Sequence, residues 1–113
     1  MALHRSHTAT LARNEVWQGE ALTEPYEAGW AREAVFFVRA LEAGGALDGA
    51  TAQVQLSPDG IHWVDEGSGF ALPAAAGALT FGRVAHFGGY LRLRAVLSRG
   101  ATLRVIASVA LKE

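Results

Sequence analysis

The chain has 113 residues, half of them apolar and 19% charged, which is enough to bury the core of one domain and argues against a disordered segment. Ten Lys and Arg oppose eleven Asp and Glu for a formal net charge of -1, and the basic residues are dispersed, so the sequence carries no electrostatic footprint for nucleic acid or an anionic membrane surface. The absence of cysteine excludes disulfides, thiolate metal sites and cysteine nucleophiles.

In chain order, Met1 to His7 lacks the apolar run of a secretory signal, and no later segment approaches the roughly 20 apolar residues of a membrane helix. A cytoplasmic chain is therefore expected. Arg5 to Ala12 alternates as a strand, Val16 to Leu22 does so more weakly, and Asn14-Glu15 and Thr23-Glu24-Pro25 interrupt the pattern. Residues 30–43 carry two signals. Ala31, Ala34, Val35, Val38 and Leu41 have helical spacing before Gly44-Gly45, whereas Val35-Phe36-Phe37-Val38 favours a strand, as do the neighbouring segments. A strand over Glu33 to Leu41 is the expectation.

Thr51 to Leu56 alternates, Ser57-Pro58-Asp59-Gly60 supplies a turn, and Ile61 to Asp65 returns as the second strand of a hairpin. Pro58 presets φ, Asp59 tolerates the bridge region and Gly60 accepts positive φ, so each turn residue has a backbone reason to be there. A short strand near Phe70 to Leu72 is expected between loops at Gly67-Ser68-Gly69 and Ala74 to Gly77, and another over Leu79 to Phe87 before Gly88-Gly89. Tyr90 to Leu97 and Ala101 to Lys112 both alternate with period two, and Ser98-Arg99-Gly100 between them suggests a C-terminal hairpin. The sum is all-β: an antiparallel β-sandwich of jelly-roll type with about seven or eight strands, in one domain over residues 1–113 whose first thirty residues are less regular.

Gln55, Ser57, Pro58, Asp59, Gly60 and Trp63, followed by Tyr90, Arg92 and Arg94, make this chain similar to a group of small β-sandwich proteins common in tailed-phage and prophage gene clusters. The resemblance covers about Val35 to Leu111 and leaves the first thirty residues outside it. It implies a noncatalytic, oligomeric building block, a head, neck or tail accessory component that is assembled into a particle. The turn is also similar to the Asp-box hairpin, although Gly60 follows Asp59 with no intervening residue, and one copy does not indicate a propeller.

Residues with chemical potential are few, and no catalytic residue is expected. His4 and His7 could hold Cu, Ni or Zn if the N-terminus is irregular, but on a strand their odd separation places them on opposite faces. His62 and His86 read as strand histidines with one solvated face. Asp59 and Asp65 flank Trp63 in a way that superficially matches a glycosidase pair, yet Asp59 is better explained by bonds to local amides. Trp17, Trp30 and Trp63 could stack on a carbohydrate or belong to the core. Arg92, Arg94 and Arg104 lie on polar phases of the last two strands, where they could form a ladder on one sheet face and an interface between copies. A self-assembling structural protein is the leading expectation, with a carbohydrate- or metal-binding module second.

Overall fold

The computed structural model describes residues 5–113. Nine strands form there and no helix: β1 (Ser6–Trp17), β2 (Glu20–Leu22), β3 (Tyr26–Glu27), β4 (Glu33–Gly44), β5 (Thr51–Ser57), β6 (Val64–Ala71), β7 (Leu79–Ala85), β8 (Tyr90–Val96) and β9 (Thr102–Lys112). Among the described residues no helix is long and apolar enough to cross a membrane. The contested segment is a strand, β4. It buries alternate side chains, Ala34, Phe36, Val38 and Ala40, a period that helical packing would not give.

All pairings are antiparallel, in two sheets ordered β1-β9-β4-β7 and β2-β8-β5-β6, with β3 also on β8. Their apolar faces meet in one interior. Leu103, Val105, Ala107, Val109 and Leu111 of β9 and Phe36 and Val38 of β4 come from the first sheet; Leu91, Leu93 and Ala95 of β8 and Ala52 and Val54 of β5 come from the second. The outward residues of these strands are mostly polar or partly exposed, so the two sheets face each other in a sandwich-like arrangement.

The expected C-terminal hairpin does not form. β8 pairs with β5 and β2, whereas β9 lies between β1 and β4 in the other sheet. Each of these strands has one apolar face, and separating them lets those faces oppose one another across the interior. Residues 97–101 therefore cross between sheets, with Leu97 and Ala101 buried at the two ends of the crossing. The first thirty residues also divide between the sheets. β1 runs the length of β9, and after Gln18-Gly19 the chain continues as β2 and β3 on β8.

The outermost pairs in sequence nest: β1 with β9, β2 with β8, β4 with β7, and β5 with β6. The Ser57-Pro58-Asp59-Gly60 turn joins the innermost pair, where Gly60 has φ 78°. The hairpin expected around this turn is present, with Leu56 opposite Val64 and Gln55 opposite Asp65. Gly67-Ser68-Gly69 is no loop but part of a bulge inside one continuous strand, β6: two steps on β5, from Gln53 to Gln55, face four on β6, from Gly69 to Asp65. Glu66 Oε1 accepts the Ser68 N–H at 2.9 Å and so satisfies a donor that the bulge removes from the ladder.

At one side of the interior β6 and β7 close together. A Cβ at Gly82 would run into the Phe70 ring, so glycine lets that aromatic ring seal the gap between the two sheets. On the other side Pro25 interrupts the outer strand of the second sheet and leaves β8 to be satisfied by other means. Thr23 does so with two bonds: its N–H donates to the Leu93 carbonyl at 3.0 Å, and its Oγ1 accepts the Leu93 N–H at 2.9 Å. Both residues are buried. Thr23→Val keeps the shape and strands the Leu93 N–H, so it is expected to destabilise the protein by about 1–3 kcal/mol, whereas Thr23→Ser costs less. Urea unfolding checks this through a lower midpoint at unchanged slope for the valine variant.

Candidate functional site

The turn between β5 and β6 organises the most concentrated polar group in the structure. Ser57, fully buried, accepts the N–H groups of Asp59 and Gly60 on Oγ at 3.2 and 2.8 Å and donates its hydroxyl to Asp59 Oδ1 at 3.0 Å. The same Oδ1 accepts the N–H groups of Ile61 and His62 at 2.8 and 2.9 Å, while Oδ2 lies 2.7 Å from His62 Nδ1. Backbone and side-chain bonds from His62, then the Ile61 amide, hold the Asp59 carboxyl well below the usual carboxylate range. This carboxylate is thus committed to the turn. The geometry matches the expectation that Asp59 bonds local amides.

Next to the turn, Arg92 of β8 lies with its guanidinium carbon 4.1 Å from the centroid of the Trp63 ring. Its Nε donates to Gln55 Oε1 at 2.8 Å, and Gln55 Nε2 donates to Asp65 Oδ1 at 2.9 Å, a chain that ties β8, β5 and β6 across the outer face of the second sheet. Burial lowers the Arg92 pKa from its ordinary value, and Glu20 opposes that shift. Arg94 is bonded to Glu20 of β2 through Nε at 2.8 Å and Nη2 at 2.6 Å. Asp59 and Asp65 therefore each have a structural partner, and Trp63 offers one ring face to a cation of its own chain.

The arginine ladder does not form as expected. Arg92 and Arg94 share the outer face of the second sheet, but Arg104 lies on β9 in the first sheet, where it bonds Glu42 Oε2 and Asn14 Oδ1 at 3.3 and 3.2 Å. The reason is the separation of β8 from β9. Among the tryptophans, Trp17 is core, Trp63 is covered in part by Arg92, and Trp30 is partly exposed beneath Arg5, 5.4 Å from the ring centroid.

His4 lies outside the described residues, and the metal pairing expected with His7 lies there with it. His7 stacks on Tyr26 with ring centroids 6.0 Å apart and planes 19° from parallel. Among the described residues no cluster of three or more His, Asp or Glu side chains is placed to hold a metal. The His7–Tyr26 stack forms part of a cleft of about 390 Å³ lined by Arg5, Ser6, His7, Tyr26 and Trp30. It bridges the β1 edge of one sheet and the β3 edge of the other. This cleft was missed in the sequence, because Ser6-His7 and Tyr26 to Trp30 are far apart in the chain and lack a shared motif.

The depressed pKa of Asp59 gives an acid signature. Its folded value lies below the unfolded value of about 3.9, so its contribution to stability is complete above that pH and is lost as pH falls towards the folded value. Removing the carboxylate in Asp59→Ala is expected to lower stability at pH 7 and to flatten the acid side of the profile. Urea midpoints measured between pH 2 and 7 for both proteins check the difference in slope.

No protein-family model matches the chain, and comparison with curated proteins finds no relative. Two solved structures share the fold. The SPBc2 prophage-derived protein YomS superposes with a TM-score of 0.59 at 10% identity, over 100% of this chain and 97% of that one. The PBSX exported protein XepA superposes with a TM-score of 0.57 at 16% identity, over 96% of this chain. This chain spans 36% of XepA. The similarity therefore lies in an all-β architecture shared with prophage-derived proteins.

Proposed function

We propose that this chain is a noncatalytic structural protein that assembles with copies of itself, as an accessory component of a phage-like particle. The observation that carries the reading is the end-to-end match of its fold with a prophage-derived protein of nearly the same extent. Its polar groups support it too: Asp59, Asp65, Arg92, Arg94 and Arg104 are all used to tie turns and strands together. The nested pairing and the orders β1-β9-β4-β7 and β2-β8-β5-β6 support reading the sheets as a jelly roll, with β2 and β3 as one interrupted strand. Such a domain serves equally as a soluble subunit and as part of a particle. Light scattering on a size-exclusion column is expected to give a mass above that of one chain at high concentration, and a strictly monomeric species would remove the self-assembly reading.

The cleft favours a second reading, a carbohydrate-binding module. Tyr26 and Trp30 bring two aromatic rings to one recess beside the Arg5 guanidinium, a combination suited to a sugar ring and its hydroxyls. Under this reading a glycan array gives saturable binding that Trp30→Ala weakens at least about tenfold, while Trp63→Ala leaves it intact. Absence of binding across the array would eliminate it.

A further inference from the structure

The two sheets have four edges, and three of them are interrupted. β1 is bulged between Thr10 and Ala12 and again between Arg13 and Glu15, where Asn14 has φ 53°. β6 carries the bulge at Glu66 to Ser68, and Pro25 separates β2 from β3. Bulges and prolines of this kind keep an edge from accepting a foreign strand. The fourth edge, β7, pairs with β4 over Glu33 to Arg39 without a register shift and has no proline.

The unused hydrogen-bonding groups of β7 can be assigned. The Ala40 N–H donates to the Ala78 carbonyl at 2.9 Å, and the register continues from that pair. In an antiparallel ladder such pairs recur every second residue, so Thr80, Gly82 and Val84 direct N–H and C=O at β4. Those of Leu79, Phe81 and Arg83 then point out of the sheet edge, where no strand pairs with them. Among the described residues, no backbone bond outside the sheets reaches them either.

The side chains of the same residues make the edge apolar. Leu79 is 59% exposed and Phe81 50% exposed, and Phe81 lies beside Phe37 of β4 with ring centroids 6.3 Å apart. Arg83 caps this group with its guanidinium carbon 5.3 Å from the Phe81 centroid.

We infer that β7 is the contact edge between two copies of this chain, which join antiparallel about a two-fold axis at Phe81 to continue the β1-β9-β4-β7 sheet from one subunit into the next. The inference rests on the self-assembly reading and names its surface. The segment is self-complementary. With Phe81 opposite its own copy, Leu79 faces Arg83 of the second copy, and each of these residues offers both backbone groups to the new ladder. The two Arg83 residues are then four positions apart along the strand, about 13 Å, beyond the screening length of about 8 Å at physiological salt. Leu79 of the second copy comes to lie beside a depression of about 420 Å³ whose lining includes Val35, Arg83, Ala85 and Ala110.

Three variants and one measurement on the unmodified protein test this. Arg83→Pro removes an outward N–H without touching the β4 ladder, and Phe81→Lys places a charge at the two-fold axis; each is expected to raise the dimer dissociation constant at least about tenfold by light scattering. Ile61→Lys, which removes an exposed apolar residue from the β5–β6 turn, is expected to leave it unchanged. In the unmodified protein, hydrogen exchange at the Leu79, Phe81 and Arg83 amides is expected to be slow at high concentration and to accelerate on dilution. This readout holds even if a variant fails to fold. An oligomer whose three amides exchange freely, or that persists in both β7 variants, overturns the β7 contact and leaves self-assembly standing. A chain monomeric at every concentration overturns both.

Discussion

β4, β5, β8 and β9 each have one apolar face, and the need to cover that face from across the interior governs the rest of the structure. A strand whose inward residues are Leu103, Val105, Ala107, Val109 and Leu111 needs a second layer, and the nearest apolar strand in sequence, β8, supplies part of it from the opposite sheet. The chain therefore changes sheets six times, at residues 18–19, 28–32, 45–50, 72–78, 86–89 and 97–101. Once those crossings are made, the antiparallel pairs fall into nested order, and the turn at Ser57 to Gly60 occupies the innermost position.

The polar residues follow from this arrangement. On the outer face of the second sheet, strands distant in sequence become neighbours, and Arg92, Gln55 and Asp65 join three of them through side chains. At the turn, Ser57 and Asp59 replace the ladder that ends there, with one carboxylate oxygen collecting two amides and a hydroxyl. At Thr23 a side chain takes the place of a strand cut short by Pro25. At the turn and at Thr23 the polar group supplies a hydrogen bond that the backbone geometry has removed.

Much of the fold was legible in the sequence because alternation reports a half-buried strand directly, as in β4, β8 and β9. The turn was equally legible, since Pro58, Asp59 and Gly60 each answer a local backbone requirement. Sheet membership was not. Tyr90 to Leu97 and Ala101 to Lys112 look like a hairpin because a hairpin and a sheet-to-sheet crossing use the same strand-turn-strand grammar, and only the location of the opposing apolar face tells them apart. The ladder of Arg92, Arg94 and Arg104 failed with it. Gly67-Ser68-Gly69 looked like a loop because a bulge and a loop share their glycine content, and the β5 residues that continue the pairing on both sides lie at a distance in the chain. The aromatic cleft depends on β1 and β3 meeting at the open side of the interior, which no local pattern encodes.

The position of β9 has a consequence for how the chain reaches this structure. It is an interior strand, hydrogen-bonded to β1 on one side and to β4 on the other, and β1 has no other strand to pair with. During synthesis, β1 and β4 emerge long before residues 102–112, and the first sheet cannot close until that last strand threads between them. The β5–β6 hairpin has its partners close in sequence and can form early, whereas β1 and the edge of β4 that pairs with β9 must wait for the last strand. Ordering of the first sheet is thus a late step that depends on contacts of long sequence separation, the kind that makes folding slow.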